Sequence, residues 1–349
     1  MKYLGLCAIV KDEDPFLEEW ICHHALLGVE AFFLYDNESV HPVHERLRSF
    51  MNGSFLTVVD VRGKGQQINA YNHCLRTFGR HFRWMGFLDL DEYAVPKRTK
   101  DLRVLLQDYE DAAALGLNWQ CFGTNGHKAR PLGTQLENYV LALDSEHWRK
   151  HIKSFVWPRA VGGMWNPHFA VPLQGGHTVN ERHEPVIGSF SPFSAQSGQI
   201  NHYYYRSWQD YHEKLRRGMA DGVAHTMPKK ITPPRGDVPD TQALRFVPAL
   251  RAMLERKDRA LHLARHSMRF DHALPPEQIL AETSALIAHD REEEALVLLS
   301  HAAARDPGQE LYVQVRHALK AALTGARERP CGRGLTCGMN AAPLPATAG

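Results

Sequence analysis

The first third of the chain alternates between short apolar runs and amphipathic stretches, and this alternation limits the folds it can adopt. The apolar runs have the length of strands buried on both faces. They occupy residues 3–10, 31–35, 55–61 and 84–89. The predicted helices between them occupy residues 14–28, 43–51 and 66–78. Repeated strand–helix–strand units form right-handed crossovers. The sequence therefore predicts an α/β fold with a Rossmann-like, mainly parallel mixed sheet and flanking helices.

The fourth predicted strand ends at two carboxylates, Asp89 and Asp91. Ligands of open α/β sheets collect at the carboxyl ends of the strands. Residues two apart in an extended chain point the same way, so the two carboxylates can hold one hard cation between them. The other interpretation is a polar turn that closes a core strand, because an isolated Asp-x-Asp is common. The position after a buried strand leads us to place the chemistry here.

Polar residues also follow the first two predicted strands. Asp36 and Asn37 can exchange hydrogen bonds with the edge of a nucleobase that lies across the sheet. A nucleotidyltransferase on a similar sheet normally opens its first strand into a glycine-rich phosphate loop, whereas residues 11–15 contain no glycine. A base near the first two strands, with a diphosphate and metal at the fourth, suits a sugar nucleotide.

Composition argues against several other classes of protein. A net charge of +2 from 41 basic and 39 acidic side chains gives no basic footprint for nucleic acid. The 21 histidines show no zinc-binding spacing. The six cysteines lack a Cys-x-x-Cys motif, which favours a reducing cytoplasm. We expect no transmembrane segment, because no apolar stretch reaches the roughly 20 residues that a spanning helix needs, and no signal peptide, because residues 11–14 are charged.

The rest of the chain is less regular. Predicted strands at 117–122, 139–143 and 155–158 fit an antiparallel extension of the sheet, and a helix is predicted at 208–219. Residues 241–323 indicate three or four helices with a single tetratricopeptide-like unit. The predicted domains are a catalytic domain at 1–225, a Pro-rich linker at 226–240, a helical extension at 241–325 and a disordered tail at 326–349.

Several motifs, in the same order, resemble glycosyltransferase family 92 and the related family 2-like group, which have the GT-A fold. The similarity extends over about residues 1–222 and continues through Trp119 and the segments 122–127 and 200–203. The first motifs are CAIVKDED at 7–14, LEEW at 17–20, His24, GV at 28–29, YDNES at 35–39 and GFLDLDEY at 86–93. Two positions depart from the pattern: Asp12 replaces the usual asparagine and Arg206 a common lysine, and both changes keep a polar or cationic group.

The resemblance implies transfer of a hexose-like sugar from a nucleotide-sugar donor, a UDP-sugar, with Mn²⁺ or Mg²⁺ on the diphosphate. By this analogy His202 is a further metal ligand. Lys11 and Glu13 join Asp36 and Asn37 in binding the nucleotide. Arg206, Lys214 and Arg217 are assigned to bind the phosphates. The other interpretation of these three residues is the solvated cationic face of a helix.

The resemblance also implies an inverting reaction on a glycan or glycolipid acceptor. It implies a role in polysaccharide biosynthesis in the cytoplasm, which is compatible with a peripheral contact between the protein and a membrane. Inversion requires a general base, for which Glu181 is the candidate, with Glu184, Glu137 and Asp144 as alternatives. The predicted acceptor contacts are Trp119, Asn125 and His127, although large aromatic residues are more often part of the core and turn-rich segments are often structural.

Two other functions remain open at this point. A nucleotidyl or phosphoryl transferase would use the same carboxylates and release pyrophosphate from a nucleoside triphosphate. A non-catalytic scaffold with a degenerate transferase fold would use the helical extension for docking and would not bind UDP.

Overall fold

A large mixed sheet forms the centre of the protein in the computed structural model, which describes residues 1–47, 51–217, 232–255 and 261–267 and isolated helical residues between 280 and 319. The strands are β1 (Lys2–Val10), β2 (Ala31–Asp36), β3 (Met51–Asp60), β4 (Phe82–Phe87), β5 (Glu92–Pro96), β6 (Ala114–Cys121), β7 (Leu141–Ala142), β8 (Ile152–Val156), β9 (Val161–Met164), β10 (Ala170–Pro172), β11 (Thr178–Val179), β12 (Gly198–His202), β13 (Val238–Pro239) and β14 (Leu261–Ser267). The α-helices are α1 (Asp14–Leu26), α2 (Val43–Arg46), α3 (Gln67–Phe78), α4 (Leu102–Gln107), α5 (Gln135–Asn138), α6 (Glu146–Arg149), α7 (Trp208–Arg217) and α8 (Val247–Glu255). Short 3₁₀ helices lie at Gly79–His81 and Gln242–Phe246.

The strand order of the large sheet is β14-β3-β2-β1-β4-β8-β6-β12-β5, and β11 pairs with β6. The first five strands of this order are mutually parallel. β8 lies antiparallel between β4 and β6, while β12 is parallel to β6 and antiparallel to β5. This mixed, mostly parallel sheet with flanking helices confirms the predicted Rossmann-like GT-A fold.

Alternate side chains of β1 face two different layers of core, as expected for a strand covered on both sides. Leu6 and Ala8 belong to the layer that contains Trp20 of α1. Cys7 lies in the opposite layer, with Tyr71 of α3. The predicted end of α1 is also confirmed: Gly28 adopts φ +90°, a conformation that residues with a Cβ rarely adopt.

Some predicted elements differ from the structure. β4 ends at Phe87, so Asp89 and Asp91 lie in the turn before β5 and not on the strand. α2 ends at Arg46, and Met51 begins β3. The predicted strand at 139–143 is shortened to β7, because α5 begins at Gln135 with a capping box between Thr134 and Glu137.

The region after residue 231 also differs from the sequence prediction. β14 forms at Leu261–Ser267, within the segment predicted as helices, because pairing with β3 overrides local preference. Phe246 and Leu250 lie in the same core layer as Trp20. The predicted domain boundaries stay predictions. Residues 218–231, most of the helical extension after 267 and the tail at 326–349 lie outside the described residues.

Candidate active site

The carboxyl ends of β4, β6 and β12 meet at one edge of the sheet, which we call the carboxyl edge. The turn after β4 carries Asp89 and Asp91, and β12 ends with His202, which is paired with Cys121 at the end of β6. The backbone N–H of Tyr203 donates to the carbonyl of Asp91 at 2.8 Å. This pairing places His202 Nε2 3.6 Å from Asp91 Oδ2. Asp91 and His202 therefore lie close together, and the role as metal ligands that the resemblance implies for them stays a prediction.

The carboxylate of Asp89 is held by donors from the protein. Gln67 Nε2 and Tyr71 Oη donate to its Oδ1 at 2.7 and 3.0 Å, and Lys153 Nζ donates to Oδ2 at 2.9 Å. Burial alone would raise the pKa of Asp89, but the Lys153 ammonium outweighs burial and holds that pKa below its ordinary value. Asp89 is thus an ionised group whose oxygens already have partners.

Lys153 is fully buried on β8 and also lies 3.1 Å from Glu92 Oε2. Burial, with the charges of Asp89 and Asp91, raises the pKa of Glu92 to about 8 in spite of Lys153. Glu92 is therefore mostly protonated at neutral pH. The positive charge of Lys153 therefore interacts mainly with the ionised carboxylate of Asp89.

Asp91 is buried and faces two other groups. Lys214 Nζ donates to its Oδ2 at 2.5 Å. Burial would raise the pKa of Asp91, but Lys214 and His202 outweigh it and hold that pKa well below the ordinary value. Burial lowers the pKa of His202 despite its carboxylate neighbour, so its imidazole is neutral at pH 7, the form that binds a metal.

A cavity of about 400 Å³ opens next to this cluster. The described residues that line it are Asp12, Pro15, Phe16, Arg130, Arg206, Asp210, Glu213, Lys214, Arg216 and Arg217. Lys214 both lines the cavity and reaches Asp91, so the cavity adjoins the acidic pair. The three predicted phosphate-binding residues, Arg206, Lys214 and Arg217, all line it.

The predicted nucleotide-binding residues of the first loop have other partners. Glu13 is buried and accepts from Arg206 Nη1 at 2.6 Å and from Arg217. Arg217 also donates to the carbonyl of Asp12 at 2.8 Å. Glu13 therefore positions the two arginines. Lys11 is half-buried in the loop that follows β1.

Asp36 and Asn37 hold loops together. The carboxylate of Asp36 accepts from the backbone N–H groups of Ser39 and Val43 at 3.1 and 2.9 Å. The amide of Asn37 donates to the carbonyl of Gly63 at 2.9 Å. Backbone groups thus bond to both side chains, and their predicted role in recognising a nucleobase stays a prediction.

The predicted acceptor contacts also have structural roles. Trp119 is buried, and its ring lies 4.1 Å from that of His202 and 4.8 Å from that of His151, so it offers no open face to a sugar. Asn125 Oδ1 accepts from the N–H groups of residues 140 and 141. His127 Nε2 lies 3.1 Å from the carbonyl of Asn138. These residues shape the loop after β6.

Glu181 does not belong to this edge. Its carboxylate accepts from the Ser194 hydroxyl and from the backbone N–H groups of residues 196, 197 and 198. Gly198 begins β12 and His202 ends it, a separation of roughly 13 Å along a strand. The prediction of Glu181 as the general base is therefore wrong, because it lies at the opposite edge of the sheet.

The three alternative bases occupy different places. Glu184 is bound to Asn180 and Arg182 near Glu181. Glu137 belongs to the capping box of α5. Asp144 lies at the carboxyl edge, since the N–H of the preceding Leu143 donates to the carbonyl of Cys121. Asp144 is exposed and pairs with Arg149 at 2.7 Å.

Sequence reasoning missed Lys153, Glu92, Gln67 and Tyr71. A lysine within the largely apolar run IKSFV is one signal that could have identified Lys153. Gln67 and Tyr71 are spaced i, i+4 on α3, which places both on the face towards Asp89. Glu92 directly follows the acidic pair. None of these signals says which residue contacts which.

In the part of the chain that the structure describes, no three His, Cys, Asp or Glu side chains converge in a way that could hold a metal by themselves. Nor is any described helix both long enough and apolar enough to span a bilayer.

Comparison with known proteins identifies the family. The family model of glycosyltransferase family 92 matches residues 4–233. The chain belongs to glycosyltransferase family 92. A family 92 protein of Oryza sativa subsp. japonica is 28% identical over 225 residues, covering 63% of this chain and 36% of the relative. One of Arabidopsis thaliana is 25% identical over 237 residues, covering 63% and 38%. The matched region thus spans little more than a third of these family 92 relatives.

A solved structure, HddC from Yersinia pseudotuberculosis, aligns with 62% of this family 92 chain and 99% of its own length. Its sequence identity is 9% and the TM-score is 0.36, so the likeness carries no argument about this chain.

Proposed function

We propose that this chain is a metal-dependent glycosyltransferase that moves a sugar from a nucleotide-sugar donor, a UDP-sugar, to a glycan or glycolipid acceptor with inversion. One observation carries the proposal: Lys214 lines the cationic cavity and also donates to Asp91. A diphosphate in that cavity would lie beside the acidic pair, where the bond to the sugar is broken.

The cavity suits a diphosphate by charge. Among the described residues, Arg130, Arg206, Arg216 and Arg217 line it with Lys214, against three acidic residues. Guanidinium groups match phosphate oxygens in a bidentate manner. Arg206 is fixed by Glu13 and by the ring of Phe16, which lies 3.5 Å from its guanidinium carbon. This cation is therefore held in position before a donor binds.

The side chains at the carboxyl edge fit a metal site whose remaining ligands would come from the donor. The 3.6 Å between Asp91 Oδ2 and His202 Nε2 suits two neighbouring ligands of one ion. Mn²⁺ and Mg²⁺ commonly take one or two protein ligands and fill the other positions with phosphate oxygens and water. We assign Asp91 and His202 as direct ligands and Asp89 to an indirect role, because its oxygens already accept three hydrogen bonds. When bound, the ion would neutralise charge that develops on the departing diphosphate.

Among the candidate general bases, Asp144 has the most favourable position. It is exposed at the carboxyl edge, whereas Glu181 lies at the other end of β12 and Glu137 is used to cap α5. A base must reach the acceptor hydroxyl in a plausible pose, which requires Asp144 to exchange its ion pair with Arg149 for the acceptor.

Calorimetry and product analysis together test the proposal. We expect UDP to bind in the presence of Mn²⁺ and a panel of UDP-sugars to be hydrolysed slowly or transferred, with UDP as the product. Release of pyrophosphate from a nucleoside triphosphate would favour a nucleotidyl transferase. Failure of UDP to bind with Mn²⁺ would favour a scaffold. We also propose a cytoplasmic setting, which the free thiols of Cys7, Cys22, Cys74 and Cys121 support.

A further inference from the structure

Two large aromatic side chains are exposed at the carboxyl edge. Trp148 is 42% exposed and Phe190 54% exposed. Their position follows from the topology: α6, which contains Trp148, leads into β8, and β8 runs antiparallel to β4 and β6. The start of β8 therefore lies beside the carboxyl ends of β4 and β6, next to Asp91 and His202. Phe190 reaches the same place because its backbone pairs with that of His151.

A series of ring contacts connects this surface with the proposed metal site. The ring of Trp148 stacks on His151 at 5.6 Å, and His151 stacks on Trp119 at 4.8 Å. Trp119 in turn lies 4.1 Å from His202. Phe190 meets His151 edge-on at 4.6 Å. The exposed rings are thus the outer end of a packed stack whose inner end contacts a proposed metal ligand.

Charged groups near these rings are paired. Arg149 pairs with Asp144 at 2.7 Å, and Lys150 pairs with Glu146 at 2.6 Å. The rings are therefore surrounded by both hydrogen-bond donors and acceptors with little excess of either charge. This suits a neutral, polyhydroxylated ligand. An anionic lipid surface would instead favour an excess of unpaired cations.

We propose that Trp148 and Phe190 form the surface on which a pyranose ring of the acceptor stacks, next to the residue that receives the new sugar. A pyranose ring presents one face of C–H groups, which gains by covering an exposed aromatic ring, while its hydroxyls can bond to Asp144 and Arg149. This inference rests on the proposed function and adds to it the position and class of the acceptor: a neutral glycan.

Saturation-transfer NMR on the full chain tests the surface directly. The probes are the methyl glycosides of glucose, galactose, mannose, fucose and N-acetylglucosamine, with lactose and cellobiose. We expect at least one probe to receive saturation on one ring face. Trp148→Ala should weaken its binding about tenfold, as loss of one stacked ring implies. Trp148→Phe, which keeps a ring, should retain most of it.

Trp157→Ala is the matched control. Trp157 directly follows β8 at its other end, and its N–H donates to the carbonyl of Ala113 at the start of β6, so it lies at the opposite edge. We expect normal probe binding in this variant. Calorimetry of UDP with Mn²⁺ on each variant should give the wild-type affinity.

The outcomes separate the two proposals. Unchanged probe binding by Trp148→Ala, or absence of binding of every probe to the wild type, overturns the acceptor surface while UDP binding still supports the transferase. Absence of UDP binding to the wild type overturns the transferase and the acceptor role with it. Cosedimentation with phosphatidylglycerol vesicles that is lost in Trp148→Ala would assign the rings to a membrane and overturn the glycan proposal.

Discussion

Replacing Lys153 by methionine tests the buried charges beneath the candidate active site. Lys153 Nζ lies 2.9 Å from Asp89 Oδ2 and 3.1 Å from Glu92 Oε2, and none of its side chain is exposed. Methionine keeps the length of the side chain but leaves Asp89, whose side chain is 32% exposed, without its cation. Removing one partner of a fully buried ion pair costs about 3–5 kcal/mol, and because water can reach Asp89 we expect a loss of about 2 kcal/mol here. In a domain of this size that loss lowers Tm by roughly 5 °C.

The assay is urea unfolding followed by circular dichroism at pH 7. Lys150→Met is the matched control, because Lys150 lies three residues earlier and pairs with an exposed Glu146, so its loss should cost less than about 1 kcal/mol. Adding Asp89→Asn to Lys153→Met should recover part of the lost free energy, since the uncompensated charge is gone. An unfolding free energy for Lys153→Met equal to that of Lys150→Met would refute the assignment of an ion pair between the buried Lys153 and Asp89.

Three further predictions concern the same group of residues. Burial raises the pKa of Glu92 to about 8, so its protonated form contributes stability that is fully present below the pKa of Glu92 in the unfolded chain. This stability is lost as pH rises to about 8, with a slope near 1.4 kcal/mol per pH unit. Glu92→Gln should remove this pH dependence from a series of urea unfolding curves. Asp91→Asn should lower the rate of sugar transfer, measured by turnover, at least about 100-fold. It should lower the unfolding free energy, measured by calorimetry, by about 1–3 kcal/mol. Normal turnover would exclude Asp91 as a metal ligand. Lys214→Met should weaken UDP binding about tenfold in calorimetry, and equal affinity would exclude Lys214 from the phosphate site.

The strand pattern and the position of the acidic pair after β4 could be predicted from sequence because their signals are local. Apolar runs of strand length identified β1, β2 and β4, and the rule that ligands gather at the carboxyl ends of strands placed Asp91 at the edge that the structure reveals. The assignment of His202 as a metal ligand came from the family resemblance alone. Nothing in the segment around it indicates that β12 lies beside β6 and β5.

The differences between the predicted and the observed partners share one physical cause. Short polar side chains after a strand can bind a ligand or can cap a loop, and sequence alone does not separate the two uses, as Asp36, Asn37 and Asn125 demonstrate. Glu181 was misplaced for a related reason. The edge on which a loop lies depends on strand direction, and the direction of β11 and β12 is fixed by pairing with β6, far away in sequence.

In the candidate site the ionised carboxylates of Glu13, Asp89 and Asp91 pair with four cations, which fall into two groups by their exposure. Lys153 and Arg206 are buried and have fixed partners, so their charge is part of the fold. Lys214 and Arg217 are more exposed and come from α7, beside the cavity. Under the proposed function, a donor diphosphate would offer new oxygens to this second pair, and Asp91 would then lose Lys214 as a partner. Asp91 and His202 would be left to hold a divalent ion, which would supply the positive charge that Asp91 had lost. We therefore expect donor binding and metal binding to depend on each other through Lys214.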